Sequence, residues 1–255
     1  MVNKISKDKV LVFRGLGIRL VFGVILFLGS HKALDAQEND KQQKDSDYLA
    51  ELKEQLVLVW PKNRTINIVF HGHSVPSGYY RTPKVNTLSA YPHLFLEYLK
   101  ENYPNAVINC ITTSIGGEQS EQGAKRFKKD VLPLKPDLLF IDYALNDRGI
   151  GLERTEKAWR FMIKKALSSK IKLVLLTPTP DLKEDILNDN TKLAGYSNLI
   201  KRLGEEYKIP VVDVYAQFKK MKREGVDLKL FMSQNNHPNS LGHQVVFIEL
   251  AKALF

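Results

Sequence analysis

The sequence predicts an α/β protein, a three-layer α/β/α sandwich around a five-stranded parallel sheet. Five short, nearly continuous apolar runs recur along the chain, the pattern of strands buried on both faces. Longer segments of helical period separate them, which is the connection that parallel neighbours require. The 255 residues, 44% of them hydrophobic, suit one full-sized domain.

Residues 1–36 come first in the chain. A basic stretch runs through Arg19, ten apolar residues follow at 20–29, and Leu34-Asp35-Ala36 precedes Gln37, the layout of an export signal. A bilayer needs roughly 20 apolar residues, so cleavage is expected, with an uncleaved anchor as the alternative. Either way the folded part lies outside the cytoplasm, periplasmic or secreted, and cleavage leaves no stable membrane insertion. Residues 37–48 are polar and charged, a solvated linker. The domain is expected over 49–255, and the apolar stretch 52–60 is suited to docking on the sheet. Strands are expected at 66–70, 106–111, 138–143, 172–177 and 211–214. Helices are expected at 90–102, 118–130, 152–168, 191–207, 215–223 and 240–254, their apolar residues recurring with the helical period.

Composition excludes several classes. Cys110 is the single cysteine, so no intramolecular disulfide, Cys-cluster metal site or lipid-anchored terminus is available. The formal charge is +10, but residues 1–36 hold a net +4 of it, leaving a mildly basic domain at +6. No dense Lys/Arg tract interleaved with aromatics marks a nucleic-acid surface.

In a parallel sheet, ligands bind outside the carboxyl ends of the strands. The residues after the expected strands are therefore the ones that matter. They include His73-Ser74 after the first, Gly116-Gly117 after the second, Asn146-Asp147-Arg148 after the third, and Gln234-Asn235-Asn236-His237 near the last helix. These supply a hydroxyl, backbone donors, a side-chain amide and an imidazole, the parts of acyl transfer. Ser74 becomes a nucleophile if His237 accepts its proton. The N–H groups of Ser74 and Gly117 and the amide of Asn146 would stabilise the oxyanion. No cofactor or metal is required.

At these residues the chain resembles the SGNH or GDSL-type hydrolases, whose four blocks carry Ser, Gly, Asn and Asp-x-x-His-Pro in order. Ser74, Gly117, Asn146 and His237-Pro238 match, over a span from about Ile66 to the C-terminus. The resemblance implies a flavodoxin-like hydrolase fold and a carboxylic ester hydrolase. Two positions depart from the pattern. His73 stands where Gly-Asp-Ser has Asp, and Gln234 stands where an Asp would orient the imidazole. Gln234, Asn235, Asn236 or a backbone carbonyl then holds His237; Asp227 has the wrong spacing.

Other readings remain beside this one. Ser74 is a helix cap and Gly116-Gly117 a tight turn if the site is inert, leaving a non-catalytic binding protein on the same scaffold. His71 and His73 form the first ligand pair of a metal-dependent hydrolase if His93, His237, His243, Asp142 or Asp181 complete it. Otherwise His71 lies on a buried sheet face and His243 packs on the last helix. Arg148 pairs with Asp147 at the surface or donates to substrate. His73, Tyr79 and Arg81 are further candidate substrate contacts; aromatic faces stack on sugars and Arg donates to hydroxyls, which favours a small-molecule or polysaccharide ester such as an acetylated sugar. The absence of a long apolar lid disfavours a lipid or lysophospholipid acylhydrolase. Oligomeric state is not legible.

Overall fold

The computed structural model describes residues 47–255. The export signal and most of the linker expected from the sequence lie outside those residues. Among the described residues no helix is long and apolar enough to cross a membrane.

In chain order the elements are α1 (Ala50–Leu56), β1 (Thr65–Gly72), α2 (Ser74–Ser77), α3 (Tyr91–Asn102), β2 (Val107–Thr112), α4 (Ser120–Asp130), β3 (Leu138–Asp142), α5 (Ala144–Asp147), α6 (Leu152–Ser168), β4 (Lys172–Leu176), α7 (Lys192–Tyr207), β5 (Val211–Val212), α8 (Val214–Arg223), β6 (Met232–Gln234), β7 (His237–Pro238) and α9 (Ser240–Leu254). The five parallel strands are ordered β2-β1-β3-β4-β5. That is the flavodoxin-like doubly wound order, whose switch point falls between β1 and β3.

Alternation within strands explains the three layers. Ile68, Phe70, Leu138, Phe140 and Val174 face one cluster with Leu52, Phe95, Phe218 and Leu250. Val69, Leu139, Ile141 and Leu173 face the other with Phe127, Trp159, Ile163 and Ile200. Consecutive residues of one strand thus enter opposite cores, which is why the central strands β3 and β4 are nearly continuous apolar runs, whereas the edge strand β2 carries Asn109 and Thr112 and is only partly buried. Phe70 and Phe140 stack across β1 and β3 at 4.4 Å between ring centroids.

Element ends differ from the expected ones where side chains cap helices. The fifth strand stops at Val212 because Asp213 accepts from the Ala216 N–H and opens α8. Gln119 and Gln122 form a capping box, so α4 begins at Ser120 rather than 118. Leu52 and Leu56 bury one side of α1 while Val57, Val59 and Trp60 stay exposed, so only the first part of the 52–60 stretch docks.

Candidate active site

Ser74 and His237 are brought together from 163 residues apart. Ser74 opens the short helix α2 directly after β1, and its N–H, at the first helical position, has no intrahelical carbonyl to reach. Its Oγ lies 2.9 Å from His237 Nε2, and both residues are buried, at 4% and 6% exposure. Burial lowers the His237 pKa below its ordinary value of 6.5, His73 adds to that, and the Tyr80 carbonyl works against it.

The spacing of Gln234 and His237 has a geometric reason. β6 and β7 form an antiparallel pair joined by Asn235 and Asn236, and Gln234 is the register partner of His237. A residue three positions before another across a two-residue turn is its cross-strand neighbour. Gln234 Nε2 lies 2.8 Å from His237 Nδ1. The Tyr80 carbonyl oxygen lies 3.1 Å from the same nitrogen. Gln234 Oε1 accepts from the Thr82 N–H at 3.2 Å, and Asn236 Oδ1 accepts from Gln234 Nε2 at 3.3 Å. Asn235 is exposed, and its carbonyl accepts from Leu182 N–H. The Tyr80 carbonyl carried no side-chain signal in the sequence; it is presented by a small loop closed by the Tyr79–Val85 bridge and the Tyr80 N–H to Lys84 carbonyl bond.

Gly117 sits at φ +77°, a conformation that favours glycine. A Cβ on its neighbour Gly116 would lie 2.7 Å from the Tyr79 ring. The Tyr79 ring is in turn 5.9 Å from the imidazole of His237, so it bridges the Gly116-Gly117 turn and the imidazole. Asn146 Nδ2 donates to the Glu118 carbonyl at 3.0 Å, which uses one of its two N–H bonds and leaves the other. Arg81 is exposed at the tip of the same loop that carries Tyr80.

Three expected contacts are corrected. His73 is only 1% exposed, packed behind Ser74 with its Nδ1 3.5 Å from Ser74 Oγ, rather than on the surface expected of a substrate contact. Its Nδ1 accepts from the Val75 N–H at 3.2 Å, and its Nε2 is 3.3 Å from Asp142 Oδ1, off the line of a hydrogen bond. Tyr91 donates to the other Asp142 oxygen at 3.0 Å. Arg148 does not pair with Asp147: it binds Asp181 at 2.7 Å and Glu184 at 2.5 Å on the loop after β4, because Asp147 turns into the core. The pair His71 and His73 does not form a metal site. His71 binds Thr113 and the Gly123 carbonyl, and burial together with Arg126 pushes its pKa down to about 3. Among the described residues no group of three metal-ligating side chains assembles. His243 takes the packing role on α9, accepting from the Tyr91 N–H.

Cavities of about 320 Å³ beside Asp181 and Lys222 and about 480 Å³ beside α1 lie away from Ser74. What distinguishes Ser74 is chemistry rather than volume.

A family model described as the GDSL-like Lipase/Acylhydrolase family matches residues 70–245. No curated protein matches the chain. A two-domain esterase active on acetylated mannans is similar at 20% identity and TM-score 0.67, covering 80% of this chain and 51% of that one, so the chain spans about half its length. An acetylxylan esterase from Geobacillus stearothermophilus is 20% identical with TM-score 0.65, covering 74% and 94%. The acetyl xylan esterase AlAXEase is 22% identical with TM-score 0.62, covering 74% and 100%. At these identities the likeness is one of fold.

Proposed function

The chain belongs to the GDSL-like lipase/acylhydrolase family, and from that premise we propose that it is a serine ester hydrolase that removes acetyl or other short acyl groups from a carbohydrate. The observation that carries this reading is the 2.9 Å contact between Ser74 Oγ and His237 Nε2. In the proposed reaction His237 Nε2 takes the hydroxyl proton as Ser74 Oγ adds to the ester carbonyl. The oxyanion is held by the Ser74 N–H, the Gly117 N–H and the free N–H of Asn146. Collapse expels the alcohol, which receives the proton from His237, and water then repeats the sequence to release the acid.

The carbohydrate assignment is supported by Tyr79 beside the imidazole and Arg81 on the rim, and by similar structures whose names record action on acetylated mannans and xylan. The basic and apolar leader supports an exported location. A fluorophosphonate tests the chemistry without knowledge of substrate: a stoichiometric adduct on Ser74, absent in His237→Ala, is the expected result. No adduct on folded protein would remove the enzymatic reading. Release of acetate from acetylated oligosaccharides, and not of fatty acid from a lysophospholipid, is expected of the same preparation.

A further inference from the structure

We propose that the side-chain amide of Gln234 selects the tautomer of His237, and that with its nitrogen turned inward it holds the imidazole in a form that cannot take the Ser74 proton. The inference rests on the reading of Ser74 and His237 as nucleophile and base.

Nδ1 of His237 faces two groups of opposite character. Gln234 Nε2, at 2.8 Å, is a donor only. The Tyr80 carbonyl, at 3.1 Å, is an acceptor only. A neutral ring nitrogen carries either a proton or a lone pair, so it satisfies one of them at a time.

If Nδ1 holds the lone pair, Gln234 donates to it and the ring proton resides on Nε2, aimed at Ser74 Oγ. The nitrogen that should receive the hydroxyl proton is then already protonated. This arrangement is braced, because Gln234 Oε1 accepts from the Thr82 N–H and Gln234 Nε2 also reaches Asn236 Oδ1. If instead Nδ1 carries the proton, the Tyr80 carbonyl accepts it and the Nε2 lone pair receives the Ser74 hydroxyl. The amide then has to turn end for end, bringing its oxygen to Nδ1. The turned amide gives up its bonds to the exposed Thr82 N–H, which passes to water, and to Asn236 Oδ1, on the turn between β6 and β7. A carboxylate at this position has no donor to present and is compatible only with the second, productive tautomer. Gln234 is thus a positioning residue whose two orientations correspond to an unreactive and a reactive imidazole. The titratable neighbours of His237 are His73, just before α2, and His243, on α9.

The test compares the full chain with Gln234→Asp and Gln234→Leu, folding being checked by circular dichroism. Ring ¹⁵N shifts of labelled histidines report the tautomer, and kcat/KM for p-nitrophenyl acetate is measured across pH. The parent is expected to hold the His237 proton on Nε2, and both variants on Nδ1. In Gln234→Asp, kcat/KM rises at least about tenfold and its acid limb moves to higher pH, since a carboxylate favours the imidazolium. In Gln234→Leu, kcat/KM rises by a smaller factor, because the Tyr80 carbonyl is left as the sole partner of Nδ1. A parent already protonated on Nδ1, or loss of activity in Gln234→Leu with an unchanged tautomer, overturns the proposal. Absence of hydrolysis in all three proteins would instead remove the enzymatic reading, and the ring shifts would still decide the tautomer.

Discussion

The Ser120 N–H donates to Asp147 Oδ1 over 2.7 Å, and Trp159 Nε1 donates to the other oxygen over 2.9 Å. Ser120 begins the helix that follows the Gly116-Gly117 turn, and Asp147 is the neighbour of Asn146. One fully buried carboxylate therefore fixes the separation between two proposed oxyanion donors that come from different strand ends.

Asp147→Asn tests that link. An amide has one acceptor oxygen where the carboxylate has two, so either Ser120 or Trp159 meets an N–H₂ group. A misplacement of about 1 Å at a reacting centre costs up to about 10²-fold. We expect kcat for ester hydrolysis to fall by roughly ten- to a hundred-fold with KM little changed. An unchanged kcat would show that the two loops are held independently.

The sheet was legible in the sequence because both faces are buried. Residues such as Leu138 to Ile141 are apolar without interruption, and short apolar runs between helical segments admit few other arrangements. The pairing of Ser74 with His237 was legible through type and order, and Gln234 through its spacing. The Tyr80 carbonyl was not, because a main-chain acceptor is independent of residue identity and its position follows from a loop closed by backbone bonds. His73 and Arg148 misled for another reason. A polar residue at a strand end is equally suited to a substrate and to a neighbouring carboxylate, and Asp142, Asp181 and Glu184 come near only through the tertiary fold.

Gly116→Ala and Gly117→Ala separate a steric requirement from a backbone one. A Cβ at Gly116 meets the Tyr79 ring at 2.7 Å, whereas one at Gly117 meets nothing within 4 Å and is opposed only by φ +77°. With p-nitrophenyl acetate, which needs no sugar contact from Tyr79, Tyr79→Ala is therefore expected to relieve the Gly116→Ala defect and to leave the Gly117→Ala defect intact. A double-mutant cycle on kcat/KM reads the coupling.

Asn146→Asp places a carboxylate against the Glu118 carbonyl, which the amide now serves as donor at 3.0 Å. Losing one oxyanion donor typically costs about 10²–10³ in kcat, and that loss is expected here. A decrease confined to KM would move Asn146 out of the oxyanion role.

Activity should persist into mildly acidic solution. The proposed base must be neutral, and burial lowers the His237 pKa below 6.5. The acid limb of kcat/KM is therefore expected below pH 6.5, and a limb above it would mean that a carboxylate acts on the imidazole.

Stability should vary with pH through groups distant from the reaction. Burial lowers the pKa of His71 to about 3 and of His243 to about 4 from the ordinary 6.5. Between those values the unfolded chain binds more protons than the folded one, so these groups make stability rise with pH up to about 6.5, by a few kcal/mol as an order of magnitude. Asp147 has the opposite sign. Burial raises its pKa from 3.8 to about 6, so the folded chain binds the extra proton and stability from this group falls as pH rises through that window. The histidines outweigh it, and Tm is expected to climb between pH 4 and 6.5. In His71→Gln the climb is shallower, and in Asp147→Asn it is steeper, because the opposing carboxyl is gone. Identical Tm profiles for the three proteins would mean that these groups titrate alike in the folded and unfolded chains.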